Sequence, residues 1–226
     1  MAYQWDFTPV LANAPLLAQG LVNTLKITGV SLAGGLVLGL AFALMRLSPR
    51  PFLSMPAGFI IEVFRTTPPL VQLFWVFFAL PLIAGIEMTP FMAAVVTFSI
   101  QSGAFFAEVF RAGIQSIERG QWEGGMAIGL SRRQTLGRIV LPQAITRMIP
   151  AFLERSIELM KTTTLVATIA YADLLFEANS IAQKTYRPLE TFTVAALVYF
   201  VVIFAFSLAA RRVERRLAVG SDSTVH

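Results

Sequence analysis

The chain has 226 residues, 56% of them hydrophobic and only 14% charged, with a formal net charge of +5 and a mean hydropathy of +0.68. A soluble domain carries about 25% charged residues, so this is the composition of a one-domain membrane protein rather than of a large-cored soluble one. The chain has no cysteine, which excludes a disulfide framework, a thiol nucleophile and a cysteine-ligated metal; its one histidine, His226, is the last residue, where a frayed tail is the ordinary reading and a ligand the rare one.

The opening stretch, MAYQWDFTPVLANAPLLAQG, has no basic region ahead of its apolar residues. It does not read as a cleaved signal peptide, and the first apolar segment is expected to stay in place. A bilayer core about 30 Å thick needs ~20 apolar helical residues. Four uncharged runs meet that requirement: 27–45 between Lys26 and Arg46, 66–86 between Arg65 and Glu87, 88–107 between Glu87 and Glu108, and 191–210 ending at Arg211. In the first run, Ser31, Gly35 and Gly39 recur every four residues. Such spacing either lets another helix come close or is ordinary bilayer-helix content. The second run starts at Thr66-Thr67-Pro68-Pro69, so its helix is expected to kink or break there.

A fifth span is needed between 142 and 190, where only 162–172 is charge-free. Helical spacing puts Arg147, Ala151, Glu154, Glu158 and Lys161 on one stripe. Charged groups cannot face lipid cheaply, so the stripe should face protein or water. The expected layout is a segment 1–18 outside, spans at about 20–46, 57–84, 88–112, 146–172 and 190–210, a loop at 115–142, and a flexible tail at 217–226.

Five spans put the two termini on opposite sides. One side then collects Arg46, Arg50, Arg111, Arg119, Arg132, Arg133, Arg138, Arg147, Arg211, Arg212, Arg215 and Arg216; the other receives Lys184 and Arg187. Twelve basic residues against two mark the first side as cytoplasmic and the N-terminus as outside. The net positive charge is explained by this bias, and no nucleic-acid partner is expected.

The loop reads EGGMAIGLSRRQTLGRIVLP over residues 123–142. Trp122, Met126 and Leu130, spaced by four, predict a short amphipathic helix. Gly124, Gly125 and Gly129 are poor helix formers, each costing up to about 1 kcal/mol against alanine. They suit a place where a partner backbone comes close. Leu141-Pro142 predicts the end of one segment and the first turn of the next, and Glu123 is expected near the helix start, where the dipole favours a carboxylate. From the residues alone, a surface offered to another protein and a solvated loop stand as equal readings.

Glu123-Gly124-Gly125, Gly129, Ile139 and Leu141-Pro142 resemble the cytoplasmic signature of bacterial ABC importer permeases, with Gly-Gly in place of the usual Ala-Ala. GLVNTLKIT, FRTTPPLVQLFW, AEVFRAGIQSIERGQ, KTTTLVATIAYADLL and RRVERRL are similar to the polar amino-acid uptake branch, including glutamate/aspartate-type permeases. The resemblance covers nearly the whole chain. It implies an all-α membrane protein with the type I ABC importer fold, about five spans, and a place in the bacterial inner membrane. It also implies a second permease subunit (copy or homologue), a cytoplasmic ATPase dimer holding ATP and Mg²⁺, and a periplasmic solute-binding protein. The 123–142 loop then carries the coupling helix that meets the ATPase. The chain itself has no GxxxxGK[ST] phosphate loop and no expected cofactor or catalytic residue.

Polar groups in the spans are the substrate candidates. Gln101 and Ser102 interrupt the third run, and Glu154 and Glu158 lie on the fifth-span stripe. Glu154 could accept from a substrate ammonium, and Gln101 and Thr66 could serve its carboxylate. Each also has a structural reading: Gln101 bonded to a neighbouring helix, and Glu154 and Glu158 paired with Arg155, Lys161 or a partner subunit. Glu108 and Arg111, three apart, read as an intrahelical pair. The competing functions are a permease for an opine, a compatible solute or methionine, and a stand-alone channel or secondary transporter. A membrane-embedded enzyme lacks the required His, Cys or Asp cluster.

Overall fold

The computed structural model describes residues 3–218, and among them every regular element is helical. In chain order the helices are α1 (Thr8–Ala12), α2 (Ala14–Arg46), α3 (Pro51–Thr66), α4 (Pro69–Phe74), α5 (Leu80–Ala84), α6 (Pro90–Gln115), α7 (Arg119–Ala127), α8 (Arg132–Thr135), α9 (Leu141–Thr162), α10 (Leu174–Thr185) and α11 (Pro188–Ala218). Two π-helical turns, Trp75–Ala79 and Leu136–Val140, and a 3₁₀ stretch, Thr163–Ile169, join some of them. Of the expected tail at 217–226, residues 217 and 218 still belong to α11, and 219–226, with His226, lie outside the described residues. Helix α2 begins at Ala14, inside the stretch expected to precede the domain.

Three helices are long and apolar enough to cross a bilayer: α2, α6 and the Pro188–Glu214 part of α11. Two bent pairs bring the candidates to five: α3 with Pro69–Ala84, at 110°, and Arg132–Ile169 with α10, at 47°. The second apolar run is therefore no straight span. Its helix ends at Thr66, and Thr67 and Pro68 are extended. Prolines 68 and 69 cannot donate to the carbonyls behind them. Gln72 repairs part of that loss: its Nε2 donates to Phe64 O at 3.0 Å and Thr67 O at 2.9 Å. Non-helical backbone at membrane depth requires such internal partners.

The two π-turns have a common cause. Each is followed directly by a Leu-Pro pair, Leu80-Pro81 or Leu141-Pro142, and the Leu N–H reaches five residues back, to Trp75 O or Leu136 O. A proline inside a helix lacks its N–H and clashes with the carbonyl four residues earlier. Widening the preceding turn relieves the clash without ending the helix. Pro142 therefore does not divide two segments, contrary to the sequence expectation; helix runs on from Arg132 to Thr162.

Lipid is as apolar as a leucine core, so close packing and hydrogen bonds must hold such a bundle together. Helices α2 and α6 form its central pair. A Cβ on Gly35 would lie 2.7 Å from Ser102 Cβ, and one on Gly39 2.6 Å from Phe106 Cβ. The Ser31-Gly35-Gly39 spacing thus serves close approach. Helix α6 starts at Thr89, whose hydroxyl accepts from Met92 N at 3.2 Å, with Pro90 at the first helical position. Ile27, Leu73, Phe98, Leu159, Val166 and Ile169 pack where α2, α4, α6, α9 and the 3₁₀ stretch meet. At the other end, Asp173 caps α10 by accepting from Phe176 N at 2.8 Å. The N-terminal residues are strapped to α11: Tyr3 Oη donates to the fully buried Glu190 at 2.6 Å, and Asp6 N donates to the same carboxylate at 3.1 Å.

Candidate functional site

The loop expected to dock a partner is a folded hairpin. Helix α7 starts after Glu118, three residues ahead of Trp122, so Glu123 lies mid-helix and exposed rather than at the dipole-favoured start. Trp122 turns inward beside Ile117, Val140, Ala144 and Met148, while Met126 is exposed and Leu130 lies beyond the helix. The predicted Trp122–Met126–Leu130 face is therefore absent.

The three glycines have three separate reasons. Gly129 takes φ +86°, its N–H donates to Met126 O at 3.0 Å, and Leu130 N donates to Gly125 O at 3.2 Å. That is the Schellman ending, which needs a left-handed residue. Gly125 is buried against its own hairpin: a Cβ there would meet Thr135 Cγ2 at 2.5 Å and Ile139 Cδ1 at 3.0 Å. Only Gly124 of the three has both open space and an ordinary helical φ. Close approach to an outside partner thus remains a reason at Gly124 alone.

The return limb starts with a capping box. Ser131 N donates to Gln134 Oε1 at 2.8 Å and Ser131 Oγ accepts from Gln134 N at 3.4 Å. Gln143 on α9 donates to Gln121 on α7 at 3.2 Å. Met126, Ile128, Leu141 and Ile145 remain exposed, and Pro142 lies beside them at the surface.

A second feature lies beside the α3–α4 break. A cavity of about 180 Å³ is lined by Arg65, Thr67, Gln101, Ser102, Phe105, Arg155 and Glu158, among others. Of the five sequence candidates, three are there: Gln101 and Ser102, 7% and 6% exposed, and Glu158. Two are not. Thr66 spends its hydroxyl on Glu62 O at 2.8 Å, back along its own helix. Glu154 is exposed on the outer face of α9 and does not line the cavity. Arg147, Glu154, Glu158 and Lys161 on the α9 stripe are all exposed, and of them Glu158 borders the cavity. Gln101 makes no hydrogen bond to a neighbouring helix among the described residues.

Arg65 and Arg155 are cavity residues absent from the sequence candidates. Arg155 pairs with Glu158 one turn on and lies 4.5 Å above the Phe105 ring; Arg65 approaches the same ring at 5.8 Å. Arg65 reaches Glu62 and Glu108 only at 3.9 Å, while Glu108 is held in a two-pronged pair by Arg111, at 2.7 Å on its shortest contact. The predicted Glu108–Arg111 pair is thus present. The signal for Arg65 was its place directly before the Thr-Thr-Pro-Pro break, where a broken helix brings side chains to mid-membrane. No group of three or more potential metal ligands occurs among the described residues.

A family model described as the binding-protein-dependent transport system inner membrane component matches residues 35–219. The chain belongs to this family. It is 37% identical over 213 residues to the arginine transport system permease protein of Bacillus subtilis, covering 94% of this chain and 97% of that one. It is also 37% identical over 217 residues to the glutamine transport system permease protein of Escherichia coli K12, covering 96% and 99%. A crystal structure of an amino acid ABC transporter with histidines superposes with a TM-score of 0.90 at 34% identity, over 95% of this chain and 100% of that one. A methionine ABC transporter in an inward-facing conformation shares the fold, with a TM-score of 0.76 at 21% identity over 91% of this chain and 98% of that one. The chain is thus an all-helical inner-membrane transport subunit with the type I ABC importer permease fold.

Proposed function

We propose that this permease moves a polar amino acid across the inner membrane, inward, at the expense of ATP hydrolysed by a separate cytoplasmic ATPase dimer that holds the nucleotide and Mg²⁺. The observation that carries the reading is the cavity beside the α3–α4 break, where Arg65, Gln101, Ser102 and Glu158 converge in an otherwise apolar bundle. Its volume is well below the 300–1,000 Å³ of drug-sized ligand sites, which suits one small solute. A zwitterion needs donors for its carboxylate and an acceptor for its ammonium; Arg65 and Glu158 supply them. The arginine and glutamine permeases and the amino acid transporter with histidines named above support a polar amino acid over an opine, a compatible solute or methionine.

The α7–α9 hairpin is the element gripped by the ATPase. Glu123, Gly124 and Met126 present its free face, while Gly125, Ile139 and the Gln121–Gln143 bond make it stiff. A stiff lever transmits force where a solvated loop does not. The excess of arginines on this side supports a cytoplasmic position for it and an outside N-terminus. The outward stripe of α9 is covered by a second permease subunit, copy or homologue, which completes the passage. An extracytoplasmic solute-binding protein delivers the cargo.

The test is uptake by proteoliposomes holding the chain with its ATPase, its second permease and its binding protein. ATP inside should drive accumulation of a labelled polar amino acid. Flux by the purified chain without ATP, or failure to associate with any ATPase, would overturn the reading.

A further inference from the structure

We propose that this cavity admits amino acids with neutral or acidic side chains and rejects cationic ones, and that Arg155 sets the discrimination. The inference rests on the cavity being the amino-acid site.

Three charged side chains line the cavity: Arg65, Arg155 and Glu158. Their roles are unequal. Glu158 is the one carboxylate, and it is already held by Arg155. Arg155 is in turn positioned by the Phe105 ring, 4.5 Å from its guanidinium carbon, a contact that favours a fixed cation over an aromatic face. Arg65 makes no hydrogen bond among the described residues, and its two acidic neighbours stand off at 3.9 Å. Its five N–H donors are therefore largely unspent. Two guanidiniums beside one ring, with one lining carboxylate that Arg155 already holds, leave an excess of positive charge on this chain's lining of the cavity.

An amino acid entering this space uses both signs at its backbone. Its carboxylate meets Arg65, and its ammonium shares Glu158 with Arg155. No other carboxylate of this chain's lining then remains for a side chain. Thr162, the further polar group on α9, donates its hydroxyl to Glu158 O at 2.9 Å. Gln101 and Ser102 are more than nine-tenths buried, and neither side chain has a hydrogen-bond partner among the described residues. A side-chain amide or hydroxyl can pair with them, and a side-chain carboxylate can also take Arg155. A lysine or arginine side chain would place a third cation among two, with no acceptor of opposite charge. Juxtaposed like charges at a binding surface change affinity by on the order of 10²-fold, and discrimination built this way is repulsive rather than attractive.

The test measures equilibrium binding of labelled glutamine, glutamate and arginine to the purified permease–ATPase complex in nanodiscs, with no solute-binding protein present to impose its own choice. Glutamine or glutamate should bind at least about tenfold tighter than arginine. Arg155→Gln, which frees Glu158, should narrow that gap by improving arginine. Arginine binding as tightly as glutamine to the wild-type complex would overturn the inference alone. No binding of any of the three would overturn the cavity as a substrate site and this inference with it. Should Arg155→Gln fail to assemble, the wild-type ranking decides by itself.

Discussion

Gly124 and Gly125 are neighbours on α7, and replacing each by alanine should have opposite effects. Both substitutions gain the same helix propensity, up to about 1 kcal/mol, so their difference isolates the space each glycine occupies. A methyl on Gly124 meets nothing within 4 Å. A methyl on Gly125 meets Thr135 Cγ2 at 2.5 Å, Thr135 Oγ1 at 2.9 Å and Ile139 Cδ1 at 3.0 Å. Thr135 cannot swing aside freely, because it is fully buried and its hydroxyl donates to Ser131 O at 3.1 Å. Overpacking of this kind costs about 1–3 kcal/mol, so Gly125→Ala should be less stable than Gly124→Ala by that amount. At about 2–4 °C per kcal/mol for a chain of this size, thermal unfolding in detergent resolves the two. Thr135→Ala should restore Gly125→Ala, with the coupling visible in a double-mutant cycle. Gly125→Ala melting at or above Gly124→Ala would refute the tight hairpin. In the assembled transporter the order should reverse: Gly124→Ala, on the free face, should raise the ATP hydrolysed per amino acid imported.

Other perturbations separate the remaining assignments. Glu158→Gln should lower uptake at least about tenfold through the loss of the one carboxylate lining the cavity, while Glu154→Gln should leave it near the wild-type level in the same proteoliposome assay. Gly39→Leu should cost about 1–3 kcal/mol or more of stability, since even a Cβ would lie 2.6 Å from Phe106 Cβ; a large loss of folded protein on size-exclusion chromatography is the readout. The Asp6 carboxyl, on the N-terminal strap, is held below its usual range, chiefly because the Thr8 backbone N–H donates to it at 3.0 Å. A depressed acid stabilises the fold above its unfolded value of about 3.9 and loses that contribution as pH falls through the folded value. Hydrogen exchange at residues 3–8 should therefore quicken in acid below about pH 4, and Asp6→Asn should remove that dependence.

The spans and the family were legible because both rest on one-dimensional signals. Uncharged runs bounded by Lys26, Arg46, Arg65 and Arg211 locate membrane helices without any knowledge of their neighbours, and the fixed spacing from Glu123 to Pro142 identifies the family. The cavity was half legible. Gln101 and Ser102 stand out as polar residues inside an apolar run, but Arg65 reads as a span boundary, and only the 110° turn at Thr67-Pro68 brings it inward. Glu154 and Glu158 look equivalent in sequence, one turn apart. Which of them borders the cavity depends on how α9 is rotated, and a π-turn twenty residues earlier contributes to that rotation. Pro142 misled for a related reason: a proline signals a break, and the widened turn before it accommodates the ring without one, so the same Leu-Pro pair can mark either a helix end or a continuous helix.

The seam between α2 and α6 has a consequence for how the molecule can move. With Gly35 and Gly39 pressed against Ser102 and Phe106, little compressible material lies between the two helices, and neither can roll or slide without lifting off the other. They behave as a keel. A pull arriving through the proposed lever would therefore be expressed where the backbone already departs from straight helix, at Thr67-Pro68 and along Thr163–Ala170. Those two joints flank the cavity, so the parts free to yield are the ones that border the cargo.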